Sequence, residues 1–179
     1  MPLTLIKEDG TGLADANSYA AVDDGNAYHD GHLYASAWIG ATDDQKSAAL
    51  VMASRLIDAE YQFNGVCTTD AQAMAWPRYC CPDPDRDTRL LFGGSWLPEN
   101  LVPKNVIGAA CELARELLIA DRTASPPGEG LKYHNESGTQ TGYDKTDRRP
   151  IISAVAQAML AKFGSLVKSK SGAVRLVRA

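Results

Sequence analysis

The sequence predicts a mainly α protein: a small bundle of about four helices with a long ordered loop, a short β-hairpin and an extended C-terminal tail. Three observations carry that prediction. An apolar stripe at three- and four-residue steps runs through Ala49, Leu50, Ala53, Leu56 and Ile57. A second, broader stripe runs through Val106, Ala110, Leu113 and Leu117, widened by Ile107, Ala114 and Leu118. Glycine and proline crowd the stretch between them, which excludes a long helix there.

In chain order, Leu3-Thr4-Leu5-Ile6 alternates enough for a short strand, closed by the turn Asp9-Gly10-Thr11-Gly12. Asn17 or Ser18 can cap a first helix over about Tyr19 to His29, which Gly25 weakens by about 1 kcal/mol relative to Ala. Thr42-x-x-Gln45 is a capping box, so the first stripe forms a helix to about Glu60. From Tyr61 to Asn100 the chain reads as a long loop, wrapped on the helices by Tyr61, Phe63, Trp76, Phe92 and Trp96. Pro103 suits the first turn of a third helix reaching about Ala120, the candidate centre of the domain. Ser125-Pro126-Pro127-Gly128 breaks the chain, and Leu131 to Tyr143 reads as a hairpin turning near Ser137-Gly138. Pro150 opens a last helix through Ile151, Ile152, Val155, Met159 and Phe163, ended by Gly164. Residues 1–164 thus form one helical domain and residues 165–179 a basic tail, in which Val174 and Leu176 alternate with Arg175 like a short strand lacking a partner.

Composition narrows the function. The 179 residues, 45% hydrophobic and 22% charged, suit one globular domain whose core needs no disulfide or metal. A formal charge of -4 has the wrong sign for gripping phosphates, so tight DNA binding is opposed. The beginning does not read as a signal peptide, and no apolar run approaches the roughly 18 residues of a membrane span, so a soluble protein without a membrane partner is expected. Cys67, Cys80, Cys81 and Cys111 lack Cys-x-x-Cys spacing and read as reduced thiols in a cytoplasm. The first thirty residues carry Glu8, Asp9, Asp15, Asp23, Asp24 and Asp30 against Lys7, whereas the end carries Lys162, Lys168, Lys170, Arg175 and Arg178 with no acid after Asp147. Such a chain can stack head to tail on its own copies or offer opposite charges to two partners; solvated ends are the alternative.

Chemistry is scarce. His29-Asp30-Gly31-His32 invites a metal, but Gly31 lets the imidazoles splay apart, and ordinary surface histidines are the better reading. Asp83-Pro84-Asp85-Arg86-Asp87 opens like a calcium loop, yet Thr88 and Gly94 stand where Gly and Glu are required. Nucleotide-binding, hydrolase and metalloprotease motifs are absent, so no catalytic residue, metal or cofactor is assigned and an enzyme is not expected. Trp76-Pro77-Arg78-Tyr79 can stack on a base and hold a phosphate, or pin the loop with Trp76 buried and Arg78 paired to a carboxylate. The net charge favours pinning.

Taken together, Ala16-Asn17-Ser18-Tyr19, Trp38, Ala49-Leu50 to Ile57-Asp58, Phe63-x-Gly65, Gln72-x-x-x-Trp76-Pro77-Arg78 and Ala110-x-x-Leu113-Ala114 resemble the tailed-phage head-to-tail connector, or adaptor, proteins. Part of that family carries the label DnaT-like single-stranded DNA-binding protein. The resemblance spans roughly Leu3 to Phe163 and is most specific from Gln72 to Arg78. It implies a structural virion protein of the phage neck, assembled in the host cytoplasm as a ring of about twelve copies beneath the portal. Such a ring continues the DNA channel, lets packaged double-stranded DNA pass without sequence-specific binding, and docks the next neck or tail protein. The tail would add as a strand to an edge of the portal or of a neighbouring subunit, a disordered terminus being the alternative. Interface residues are expected at Trp76, Arg78 and Trp96 in the loop and at Arg175, Leu176 and Arg178 in the tail. A replication accessory binding single-stranded DNA through Trp76, Arg78, Lys168 and Lys170 is the competing function.

Overall fold

A computed structural model describes residues 3–85, 96–125, 133–136, 139–142 and 150–167. Among them five helices are the chief regular structure: α1 (Val22–Asp30), α2 (Ser36–Ile39), α3 (Asp43–Glu60), α4 (Lys104–Ile119) and α5 (Ala154–Leu160). Strands β1 (Tyr61–Phe63), β2 (Val66–Cys67), β3 (Arg78–Tyr79), β4 (Tyr133–Glu136), β5 (Thr139–Gly142) and β6 (Gly164–Leu166) form the antiparallel pairs β1–β6, β2–β3 and β4–β5.

α4 is the hub, packing against α1, α2, α3 and α5. Small side chains make this possible. Gly108, Ala109, Ala110 and Ala114 let neighbours approach on several sides, while Val106 and Leu113 supply bulk at zero exposure. α3 begins where its capping box predicts: Thr42 Oγ1 accepts from Gln45 N at 3.3 Å, and Gln45 Oε1 accepts from Thr42 N at 3.0 Å. Leu50, Ala53 and Ile57 then bury one face of the helix.

The N-terminal segment departs from expectation. Leu3 to Ile6 forms no strand, because Asn17 takes up its backbone: Asn17 Oδ1 accepts from Ile6 N and Nδ2 donates to Thr4 O, both at 2.9 Å. Asn17 and Ser18 therefore do not cap α1. Ser18 Oγ donates to Ala20 O at 2.7 Å, Tyr19 N donates to Ser54 Oγ at 3.0 Å, and the helix starts only at Val22, where Asp24 Oδ2 accepts from Ala21 N at 2.7 Å. α2 is a further single turn that places Trp38 in the core at 1% exposure.

The 61–100 stretch contains more structure than a loop. Tyr61, Phe63 and Trp76 are core residues, Trp76 lying edge-to-face with Phe63 at 5.6 Å and with Phe163 at 5.8 Å. Phe92 lies outside the described residues. β4 and β5 fall inside the expected hairpin, whose turn at Ser137-Gly138 is also outside them. The last helix starts four residues later than Pro150 suggests. Arg122 donates to Ile151 O at 2.7 Å and to Pro150 O at 2.6 Å, so Ser153 becomes the cap instead, its Oγ accepting from Ala156 N at 3.2 Å. Gly164 ends no helix but opens β6, so that Ser165 and Leu166, the expected start of the tail, pair with Gln62 and Tyr61.

Candidate functional site

The Gln72 to Arg78 segment is braced by three polar side chains. Gln72 Nε2 donates to Met74 O at 2.7 Å and to Pro77 O at 3.1 Å, while its Oε1 accepts from Thr69 N at 3.0 Å. Asp58, near the end of α3, accepts from Ala75 N at 3.0 Å and from the Tyr19 hydroxyl. Burial raises the Asp58 carboxyl to about 6, partly opposed by those two hydrogen bonds and by the Arg78 charge. Burial and the Asp58 charge likewise raise the Tyr19 hydroxyl well above its ordinary value, so it stays a donor.

Arg78 completes the brace. Its Nε donates to Asn64 O at 2.7 Å, Nη1 to Ala75 O at 2.8 Å and Nη2 to Gly65 O at 2.6 Å. A planar fork of donors suits several carbonyls converging from two chain segments. The partner of Arg78 is thus main chain, where sequence reasoning expected a carboxylate. Gly65, at φ 75°, cannot carry a side chain because a Cβ would collide with Tyr79 O at the open end of the β2–β3 pair. Phe63-x-Gly65 with Gln72-x-x-x-Trp76-Pro77-Arg78 is therefore a folding device. Trp76 has zero exposure and Arg78 is half-buried with its guanidinium committed inward.

This brace presents two large apolar side chains outward among polar ones such as Thr68, Thr69 and Asp70. Val66 and Tyr79 face each other across β2–β3 at 59% and 52% exposure. Trp96, bridged to Pro82, is 53% exposed. Of the expected interface residues, Trp96 lies at the surface, Trp76 and Arg78 support the loop from beneath, and Arg175, Leu176 and Arg178 are outside the described residues.

The acidic N-terminal half is also partly structural. Glu8 is 1% exposed and accepts from Gly10 N, Gly12 N and Leu13 N, each at 2.9 Å, and Asp24 pairs with Lys7 at 2.7 Å. Asp9, Asp15, Asp23 and Asp30 remain exposed. Glu8, Asp58 and Arg122 are functional to the fold in a way sequence reasoning missed; an acid followed by Gly-x-Gly was the signal available for Glu8. His29 is a packing residue at 2% exposure, with Nε2 3.2 Å from Cys111 O and its ring 4.9 Å from Trp38; burial holds it below the ordinary imidazole range. The four cysteines are free, and burial pushes the Cys111 thiol up to about 12, which removes it as a nucleophile. Asp83 and Asp85 are described, but most of the calcium-like run is not. Among the described residues no helix is long and apolar enough to cross a membrane.

Comparison with known proteins returned a family. Residues 3–179 are similar to the model of the DnaT-like ssDNA binding protein family. No curated protein and no solved structure matches the chain.

Proposed function

We propose, on the premise that the chain belongs to the DnaT-like ssDNA binding protein family, that it is a structural head-to-tail adaptor of a tailed phage. Copies form a ring beneath the portal, continue the DNA channel and dock the next neck or tail protein. The observation that carries this reading is the inward commitment of Trp76 and Arg78. A loop that buries its best base-stacking ring, commits its guanidinium to three of its own main-chain carbonyls and leaves Val66, Tyr79 and Trp96 exposed suits protein contact better than phosphate contact. The charge of -4 supports the same side, since a channel that lets duplex slide should not be basic.

Electron microscopy of the purified protein mixed with portal tests the proposal. Rings or stacked rings on the portal are expected; portals left bare overturn it. The chain should also complete portal-bearing heads, and a chain ending at residue 167 should fold but fail to do so, because the tail carries the contact to the portal or to a neighbouring subunit.

Single-stranded DNA binding is the second reading, favoured by the description of the family. It requires salt-dependent affinity for oligonucleotides, micromolar or tighter at physiological salt, that weakens when Lys168 and Lys170 are neutralised. A fluorescence titration with single-stranded DNA separates the two.

A further inference from the structure

At the corner where α1 turns into α2, Leu33, Tyr34 and Ile39 are 86%, 73% and 72% exposed, the most exposed large apolar side chains among the described residues. Leu33 and Tyr34 lie on the chain between Asp30 and Ile39, and those two residues line one cleft with Asn26, His29, Trp38 and Lys46. The cleft has a volume of about 170 Å³, with Trp38 and the buried His29 in its wall. His29 Nδ1 has no partner among the described residues.

The outward charge at this cleft is negative. Lys46 is 12% exposed and already committed: its Nζ is 3.2 Å from Asn26 Oδ1, 3.7 Å from Asp43 Oδ1 and 5.5 Å from the Trp38 ring centroid. Asp30 is exposed, and the Asp43 side chain at the first turn of α3 is 84% exposed. With Lys46 shared between Asn26 and Asp43, Asp30 and Asp43 leave one net negative charge beside these apolar side chains, which suits an occupant that is apolar and basic in alternation. The chain itself contains that pattern: residues 168–179 hold Lys168, Lys170, Arg175 and Arg178, interleaved with Val174, Leu176 and Val177, and no acid.

We propose that the α1–α2 corner is the docking site for the C-terminal segment of a second copy of this chain. Taken up extended, Val174 and Leu176 would lie on the ledge made by Leu33, Tyr34 and Ile39, with Arg175 and Arg178 reaching Asp30 and Asp43. The occupant comes from another copy because the chain's own tail starts at the far end of α3, where Val167 N donates to Glu60 O at 2.8 Å. From Glu60 back to Lys46 is about 21 Å of helix, and the links from Val167 to Val174 reach at most about 24 Å, so the chain's own tail would have to be drawn taut. A neighbour's tail needs no such stretch. The contact is heterologous, cleft to tail, and therefore propagates around a ring. It deepens the adaptor reading and rests on it for the expectation that copies meet.

The test uses two full-length charge-reversal variants, Asp30→Lys/Asp43→Lys and Arg175→Glu/Arg178→Glu, followed by sedimentation velocity. All four positions lie outside the core or at the tail, and circular dichroism melts confirm that each variant folds. Each variant alone should self-associate on the order of tenfold more weakly than the parent. An equimolar mixture should associate again, because each tail then meets a cleft of opposite charge, and the chain carrying all four changes should associate like the parent. A mixture that stays monomeric overturns the proposal, and so does a chain carrying all four changes that associates no better than either double variant. Portal rings formed by Asp30→Lys/Asp43→Lys as readily as by the parent also overturn it and leave the adaptor reading standing, whereas a parent that forms no rings removes that reading whatever the mixture does.

Discussion

At Gly25 a methyl group would land on the Trp38 ring, so the residue that weakens α1 in isolation is the one that seats α2 on it. Trp38 Nε1 donates to Asn26 Oδ1 at 3.0 Å one residue further on, which fixes the ring against the helix. Gly25→Ala, which on an exposed helix would stabilise by about 1 kcal/mol, should here destabilise by roughly 1–3 kcal/mol in chemical denaturation. Arg78→Lys should lose about 2 kcal/mol, because an ammonium cannot span the carbonyls of Asn64, Gly65 and Ala75; a melt unchanged from the parent would refute the bracing role. Asp58 gives a pH signature. Its folded value of about 6 lies above the ordinary 3.8, so its protonated form is the one the fold prefers. That contribution is complete below about pH 4 and is lost as pH rises through about 6, on the order of 3 kcal/mol in all. Lowered by burial, His29 titrates in the opposite sense, so the effect is read as the difference between the parent and Asp58→Asn. The parent should lose stability relative to Asp58→Asn between pH 4 and pH 7, and parallel curves would exclude it.

Among the elements, β6 matters most to where the domain ends. Its pairing with β1 is extended by Asn64 N donating to Phe163 O at 2.8 Å and by Val167 N donating to Glu60 O, and Leu166 packs on the core. Truncation after residue 167 should leave the melting temperature within a degree or two, whereas truncation after residue 163 should lower it by several degrees, the cost of about three backbone hydrogen bonds and one apolar side chain. Differential scanning calorimetry distinguishes the two. α5 has a similar dependence on a distant residue: Arg122 holds the carbonyls of Pro150 and Ile151 and pairs with Glu116 of α4, which sets where the last helix can begin.

For the whole molecule, large apolar side chains stand exposed at several places on the described surface, among them one region at the α1–α2 corner and a second at Val66, Tyr79 and Trp96. A subunit that assembles must keep such regions uncovered until a partner arrives. Trp96→Ser should leave the monomer folded at a cost of about 1–2 kcal/mol, since the side chain is 53% exposed, and should reduce ring occupancy on the portal in micrographs by about tenfold or more. Equal occupancy would show that the second region is not a contact.

Local sequence determined the elements whose causes are local. The capping box at Thr42 and Gln45, the apolar stripes of α3 and α4 and the turn residues of the β4–β5 hairpin each act through neighbours within a few positions, so a reader of the chain can find them. The tertiary structure alone decided the rest. Whether Asn17 caps a helix or holds Ile6, whether Arg78 meets a carboxylate or a set of carbonyls, and whether Gly164 ends a helix or starts a strand against Phe63 all depend on groups brought together from far along the chain. A polar side chain satisfies its hydrogen bonds with whatever the packed chain places beside it, and no spacing along the sequence encodes that neighbour.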